Sequence, residues 1–402
     1  MSIQPINIHL NEDKKMRKFF KKIETSEYGM RLREKFYPSK RSNPAHYALF
    51  FQAMERYRKC TNKKNSTQIK HEIQICEQYW KCYPHHYFMY DLYTENCDLT
   101  DDELKNYIPQ FFWSYLFLPY HTSLHFSPIP DNKILTDIFF RALDINRPLT
   151  LCTFLNNNLY SPTMNFLSDY QPLNEIKNIA EEKIFVKPAE GEGGKGLFVF
   201  HKHDNSHFIN SENQKFDEKF LSNIMKNKDY IIQDGVAQHP DIAKIYPDSV
   251  NTFRIITENK NGVVRIICAV LRMGRSHKEN DNLSSGGICV NIDMNSGKFG
   301  NFAISYISEK FSEHPDTHFK FKNEKISQWD KIRVFTIESA GKLPFLTYLG
   351  WDIALTPEGP LAIEINRTPA LDIMEMSSFG LREAFGINDP DFFWKNAGNR
   401  FK

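Results

Sequence analysis

The sequence predicts an α+β protein with a helical N-terminal region. Three observations carry this. The first ~125 residues are helical in pattern and rich in aromatic residues. From Lys183 onward, short apolar runs alternate with Gly and turn residues. Those runs pair off across hairpin signals, with helical stretches between them, so antiparallel sheet is expected rather than a doubly wound parallel one.

Length and composition frame the reading. The 402 residues correspond to two or three domains. An aromatic share of 14% excludes disorder as the main state. The longest strongly apolar run, Phe111–Tyr120, is half the ~20 residues a membrane helix needs. MSIQPINIHLNEDKK lacks a signal-peptide stretch, so a cytoplasmic location is expected. Seven scattered cysteines read as reduced thiols. A net charge of +2 gives no reason to expect a nucleic-acid partner.

The charge is unevenly spread. Lys14–Arg41 holds eleven Lys/Arg against three Glu, a formal +8, which leaves −6 for the remainder. The pattern is helical, with Met16, Phe19, Phe20 and Ile23 on one stripe. It reads as a solvated helix docked by its apolar edge, or as a surface for anionic lipid or a phosphorylated glycan carrier.

The elements follow in order. Residues 1–125 form the helical region, with a polar break at Thr61–Thr67 and FFWSYLFLPY as core. Cys76, Cys82, His85 and His86 lack zinc-finger spacing. Pro119, Pro128 and Pro130 mark the boundary to residues 126–182, which carry a helix and then a strand over Lys133–Asn156. Residues 183–236 contain a strand at Ile184–Lys187, the loop AEGEGGKG, a returning strand at Leu197–Phe200, a helix over 215–227 and a buried strand at Tyr230–Val236. Residues 237–402 carry hairpins around KNG, NSG and TPEGP, and a helix at Trp329–Leu343.

Three groups of residues carry chemistry. Lys187 precedes Glu190, Gly191, Gly193, Gly194, Lys195 and Gly196. Repeated glycine lets backbone N–H groups approach phosphate oxygens, and the loop can serve as a lid. Many Gly-rich hairpins bind nothing, so a plain turn remains an alternative. Second, Glu364 and Asn366 lie two apart on one strand and share a face. A turn centred near Glu358 puts Asp352 opposite Glu364. Carboxylates so placed repel unless a cation lies between them, and oxygen ligands suit Mg²⁺ with nucleotide phosphates. A solvent-facing acidic pair is the alternative. Third, Asn251, Thr252, Arg254, Arg272, Arg275 and Asn282 form a polar belt on apolar strands. A buried Arg needs an anion, either a bound phosphate or carboxylate or a local Asp/Glu.

Lys with a Gly-rich loop, an apolar strand ending in QD, an Arg strand, NLSSGG and GWDIAL…IEINRTPAL occur in this order. The order resembles the ATP-grasp superfamily over residues ~130–385. IIQDGVAQHPDIAKIYPDSVNTFRI with RMGRSHKENDNLSSGG most resembles its sugar-transfer-associated subgroup, and other segments are similar to RimK-type and D-alanine ligases. The resemblance implies two α+β lobes clasping ATP. It implies that Gln233, Asp234, Gly235 and Val236 meet adenine and ribose, and that Asp352, Glu364 and Asn366 hold Mg²⁺. Asn282 matches the Asn of the family's FRSN segment, but Asn280 replaces that segment's Arg, and Gly350 and Trp351 stand where D-alanine ligases carry another. Arg254, Arg272 or Arg275 would then carry transition-state charge. The implied activity is ADP-forming ligation of a small-molecule or glycan-linked carboxylate to an amine through an acyl phosphate. The implied setting is cell-surface polysaccharide (capsule) synthesis at the inner membrane face. A kinase of a sugar hydroxyl and a non-catalytic scaffold are the competing readings.

Overall fold

The computed structural model describes residues 27–167, 173, 176, 182–191, 193–204, 207–224 and 228–397. The basic run Lys14–Lys22 lies outside them. The chain divides into two compact units, residues 1–120 with 386–402, and residues 121–385.

In the first unit, α1 (Glu27–Lys35), α2 (Pro44–Lys59) and α3 (Ser66–Trp80) precede a series of short helices. Asn43 caps α2 by accepting from His46 N, and Pro44 fits the first turn, where its missing N–H costs nothing. Asn65 caps α3 in the same way, and the helix stops at left-handed Lys81. The polar break therefore falls between two capped helices. Trp80, Tyr87, Phe111, Phe112, Trp113 and Trp394 are fully buried. Trp394 joins from the C-terminal segment, donating its indole N–H to Trp80 O at 2.8 Å. Among the described residues no three His, Cys, Asp or Glu side chains gather as a metal site. Cys76 turns its thiol to Leu104 O, and His85 packs edge-on against Phe50.

The second unit contains two seven-stranded sheets, with every strand pairing antiparallel. The first runs β3-β2-β1-β7-β4-β5-β6. Here β1 is Thr150–Leu155, β2 Asn158–Tyr160, β3 Phe166–Leu167, β4 Lys183–Pro188, β5 Phe198–Lys202, β6 Phe208–Ile209 and β7 Tyr230–Asp234. Helix α4 (Lys133–Ala142) precedes it, and α5 (Glu218–Ile224) supplies Phe220 and Leu221 to its core. The second runs β12-β11-β10-β9-β8-β13-β14. Its strands are β8 Thr252–Lys260, β9 Val263–Met273, β10 Ile288–Ile292, β11 Phe299–Ser305, β12 Lys310–Phe311, β13 Tyr348–Thr356 and β14 Gly359–Asn366. Two further helices follow in this half, α6 (Trp329–Gly341) and α7 (Asp372–Ser377).

The second sheet has two unlike faces. Phe253, Ile255, Leu271, Val290, Trp351 and Ile353 are wholly buried in one core with Trp329 and Ile332 of α6. The alternate residues Thr252, Arg254, Arg272 and Asp352 lie on the other face, as strand periodicity requires. The β13–β14 hairpin decides what meets there. Thr356 pairs with Gly359 across a two-residue turn, and that register alone would set Asp352 opposite Ile363. A bulge between Asp352 and Ile353 takes up Ile363 and brings Glu364 opposite Asp352.

Candidate nucleotide and metal site

Asp352 is 2% exposed and pairs across the sheet with Glu364 on one side and Arg254 on the other. Arg254 grips it with two bonds, Nε to Oδ1 at 2.5 Å and Nη2 to Oδ2 at 3.0 Å. Arg272 Nη2 adds a contact at 3.2 Å and reaches Asp281 Oδ1 at 3.3 Å. Thr252 donates to Asp281 and accepts from Arg272. Burial alone would push the Asp352 carboxyl up, but Arg254 and Arg272 hold it well below the usual carboxylate range. The solvent-facing acidic pair is therefore excluded for Asp352. For Arg254 and Arg272 the anion is local: Asp352 and Asp281 neutralise them.

Glu364 behaves in the opposite way. Burial and then the neighbouring Asp352 push its carboxyl up. Lys133 Nζ stands 3.9 Å from Glu364 Oε2. Asn366 follows on the same strand, and its buried Nδ2 has no hydrogen-bond partner. A half-turn of that amide presents Oδ1 instead. Two facing carboxylates beside an unsatisfied amide fit a hard divalent cation, which would offset their repulsion and satisfy the amide.

Lys187 lies on β4 and donates to Gln233 Oε1 on β7 at 2.9 Å. Burial lowers its ammonium to about 8, while Glu364 draws it back up. Gln233 Nε2 donates to Thr150 Oγ1, which donates to Asp137 Oδ1 at 2.7 Å. Arg147 Nε donates to the same oxygen at 2.7 Å. Asp137 is 3% exposed, and its Oδ2 is buried without a partner. Lys133, Asp137, Lys187, Gln233, Ile363 and Glu364 line one cleft. Lys133 and Asp137 of α4, Lys187 of the first sheet and Glu364 of the second thus face a common space.

The Gly-rich loop stands beside it. Gly191 O accepts from Lys133 Nζ at 2.9 Å. Gly194 has a φ of +72°, and a Cβ there would come 3.2 Å from Asn282 Nδ2. Lys195 and Glu190 are exposed. The Asn282 carbonyl accepts from Ser285 N and Gly287 N, shaping the SSGG turn. Arg275 turns to Gly286 O at 2.5 Å and lies 3.6 Å from Glu309. At the end of β7, Gln233 is used internally by Lys187 and Thr150, whereas Asp234, Gly235 and Val236 are partly exposed.

Sequence reasoning missed Lys133, Asp137, Arg147 and Asp281. One signal was available. Lys133 and Asp137 are four apart at the start of a capped helix, so they share a face.

Two antiparallel sheets, each with helices, and a Lys–Gly-loop strand pair facing a carboxylate hairpin define an ATP-grasp protein. Within that class, residues 117–385 match the sugar-transfer associated ATP-grasp family, and the chain belongs to it. No curated protein matches the chain. Among solved structures it is similar to D-alanyl-alanine synthetase A from Vibrio cholerae, at 15% identity over 68% of this chain and 65% of that one, with a TM-score of 0.37. A D-alanine–D-alanine ligase from Bacillus anthracis complexed with ATP matches at 12%, over 68% and 67%, with a TM-score of 0.38. The biotin carboxylase domain of Hydrogenobacter thermophilus 2-oxoglutarate carboxylase matches at 9%, over 64% and 46%, with a TM-score of 0.37. The chain spans about half to two thirds of the length of these structures.

Proposed function

We propose that the chain is an ATP-dependent carboxylate–amine ligase that forms an amide through an acyl phosphate, within the assembly of a cell-surface polysaccharide. One observation carries this reading: Glu364, which pairs with Asp352 and stands two residues before the unpartnered Asn366 amide, lines a cleft with Lys133 and Lys187. Family membership supports both the nucleotide and the glycan setting.

The residues divide the work as follows. Lys187 and Lys133 bind the phosphates. The loop Gly191–Gly196 closes over them and excludes water, which protects an acyl phosphate from hydrolysis. Asp234, Gly235 and Val236 receive the adenosine, with Gln233 orienting Lys187 beneath. Asp352, Glu364 and Asn366 hold Mg²⁺, which when bound offsets charge on the transferring phosphoryl group. Arg254 and Arg272 fix the Asp352 carboxylate, while Arg275 and Asn282 shape the loop under the lid. A substrate carboxylate oxygen attacks the γ-phosphorus and ADP leaves. The amine nitrogen then attacks the acyl carbon, loses its proton, and phosphate leaves. The lid lobe is 183–236 and the opposing lobe 237–385, since residues 386–402 belong to the other unit. Residues 14–41 contact an anionic membrane surface at the cytoplasmic face, near a lipid-linked acceptor. Among the described residues no helix is long and apolar enough to cross a membrane.

Hydroxylamine tests the reaction type, because it traps acyl phosphates as hydroxamates. With ATP, Mg²⁺ and a panel of uronic acids and amino acids, one acid should yield a hydroxamate and ADP. A stable phosphate ester on a hydroxyl would replace this reading with a sugar kinase.

A further inference from the structure

Helix α1 is amphipathic the wrong way round for a helix that meets only water and its own core. It is anchored by Met30, 1% exposed, and by Tyr37 just beyond its end. Arg31 lies over the Trp394 ring at 4.7 Å, Arg33 over Tyr115 at 4.8 Å, and Glu34 accepts from Tyr83 N. Arg31 and Arg33 thus lie against rings of the unit while remaining exposed, and Glu34 is partly buried. The outer stripe is Tyr28, Leu32 and Phe36, four residues apart each time, at 71%, 40% and 62% exposure. Lys35, Lys40 and Arg41 are exposed alongside, with no partner among the described residues.

We propose that this outer face of α1 inserts into the headgroup region of an anionic bilayer. The inference rests on the membrane contact proposed above for residues 14–41 and is independent of ligation. Charge complementarity selects the occupant. The segment carrying the stripe is +8 over 28 residues, and six Lys/Arg between Lys14 and Lys22 precede it without a carboxylate among them. Apolar and aromatic side chains on one helix face, flanked by free cations, suit the lipid interface. There the rings enter the acyl boundary and the ammonium groups meet phosphates. Exposed apolar stripes of this kind seldom serve no purpose in a soluble protein.

The test is sedimentation of the full chain with vesicles of phosphatidylcholine alone and with added phosphatidylglycerol. Wild type should partition at least tenfold more strongly onto the anionic vesicles, and less so as salt rises. The variant Tyr28→Ser/Leu32→Ser/Phe36→Ser should lose tenfold or more of that partition, with its circular dichroism melt unchanged. If that variant binds like wild type while neutralising Lys14–Lys22 with Gln removes binding, the membrane contact stands and the role of the stripe is overturned. Absence of wild-type binding overturns both. Concentration-dependent self-association that the triple variant abolishes, without vesicle binding, makes the face a contact between copies instead.

Discussion

Lys187 owes its properties to the strand that carries it. Burial pulls its ammonium down to about 8, so it is charged at pH 7 and largely neutral at pH 9. Phosphate binding needs the charged form. Affinity for a non-hydrolysable ATP analogue should therefore fall about tenfold between pH 7 and pH 9. Lys187→Arg stays charged throughout and should flatten that dependence in isothermal titration. Lys195 is exposed on the loop, and Lys195→Ala should change affinity far less. Asp137 acts one step back. It holds Thr150, which holds Gln233, which holds Lys187. Asp137→Asn should weaken nucleotide binding roughly tenfold, because a charge-assisted bond in a buried chain is worth about 1.5–3 kcal/mol. Unchanged affinity would remove Asp137 from the site. Lys187 was legible in the sequence because it stands beside a Gly-rich loop. Asp137 was not, since a lone acid on a helix has no signature until the fold sets Arg147 and Thr150 against it.

At the level of elements, α4 contributes most to the cleft lining, and β14 of the β13–β14 hairpin adds Ile363 and Glu364. Alternation along both strands gave away the polar face; a turn centred on Glu358 would pair Asp352 with Glu364, whereas the actual turn pairs Thr356 with Gly359 and a bulge restores the Asp352–Glu364 pairing. The bulge that produces that pairing was invisible, because bulges depend on the neighbouring strand rather than on local composition. The arginines on β8 and β9 were legible as needing anions, but their partner Asp352 lies some 80 to 98 residues away. Asp352→Asn should destabilise the fold by about 3 kcal/mol, since Arg254 would remain buried without its counter-charge. The melting midpoint should drop by roughly 6–12 °C. The same pair sets a pH dependence. The Asp352 carboxyl titrates below its ordinary value when folded, so its contribution is present above the usual carboxylate range and is lost as pH falls into strong acid. In the Gly-rich loop, Gly194→Ala meets a left-handed φ and the Asn282 amide together. It should lower turnover while leaving the melt nearly unchanged, because the loop surface is exposed; an equal loss of stability would contradict a lid role.

The molecule as a whole joins a helical, aromatic unit to a two-sheet ATP-grasp unit within one chain. Hairpin signals such as KNG, NSG and TPEGP made six strands of the second sheet readable, since turn chemistry is local, while the two-residue edge strand β12 carries no such signal. The first sheet was harder. Its strand order interleaves β7 between β1 and β4, and no local pattern encodes pairing across some 80 residues. The helical unit was legible as helical and aromatic-rich, with FFWSYLFLPY as core, while its individual helices and the return of Trp394 to Trp80 could only be seen in three dimensions. The central claim is that one cleft holds nucleotide and divalent cation together. Isothermal titration of a non-hydrolysable ATP analogue, with and without Mg²⁺, tests it most directly on wild type and Glu364→Gln. Wild type should bind at least tenfold more tightly with Mg²⁺, and Glu364→Gln should keep its melt but lose that Mg²⁺ dependence. No binding by the wild type, or a Mg²⁺ effect of equal size in the variant, would contradict the account.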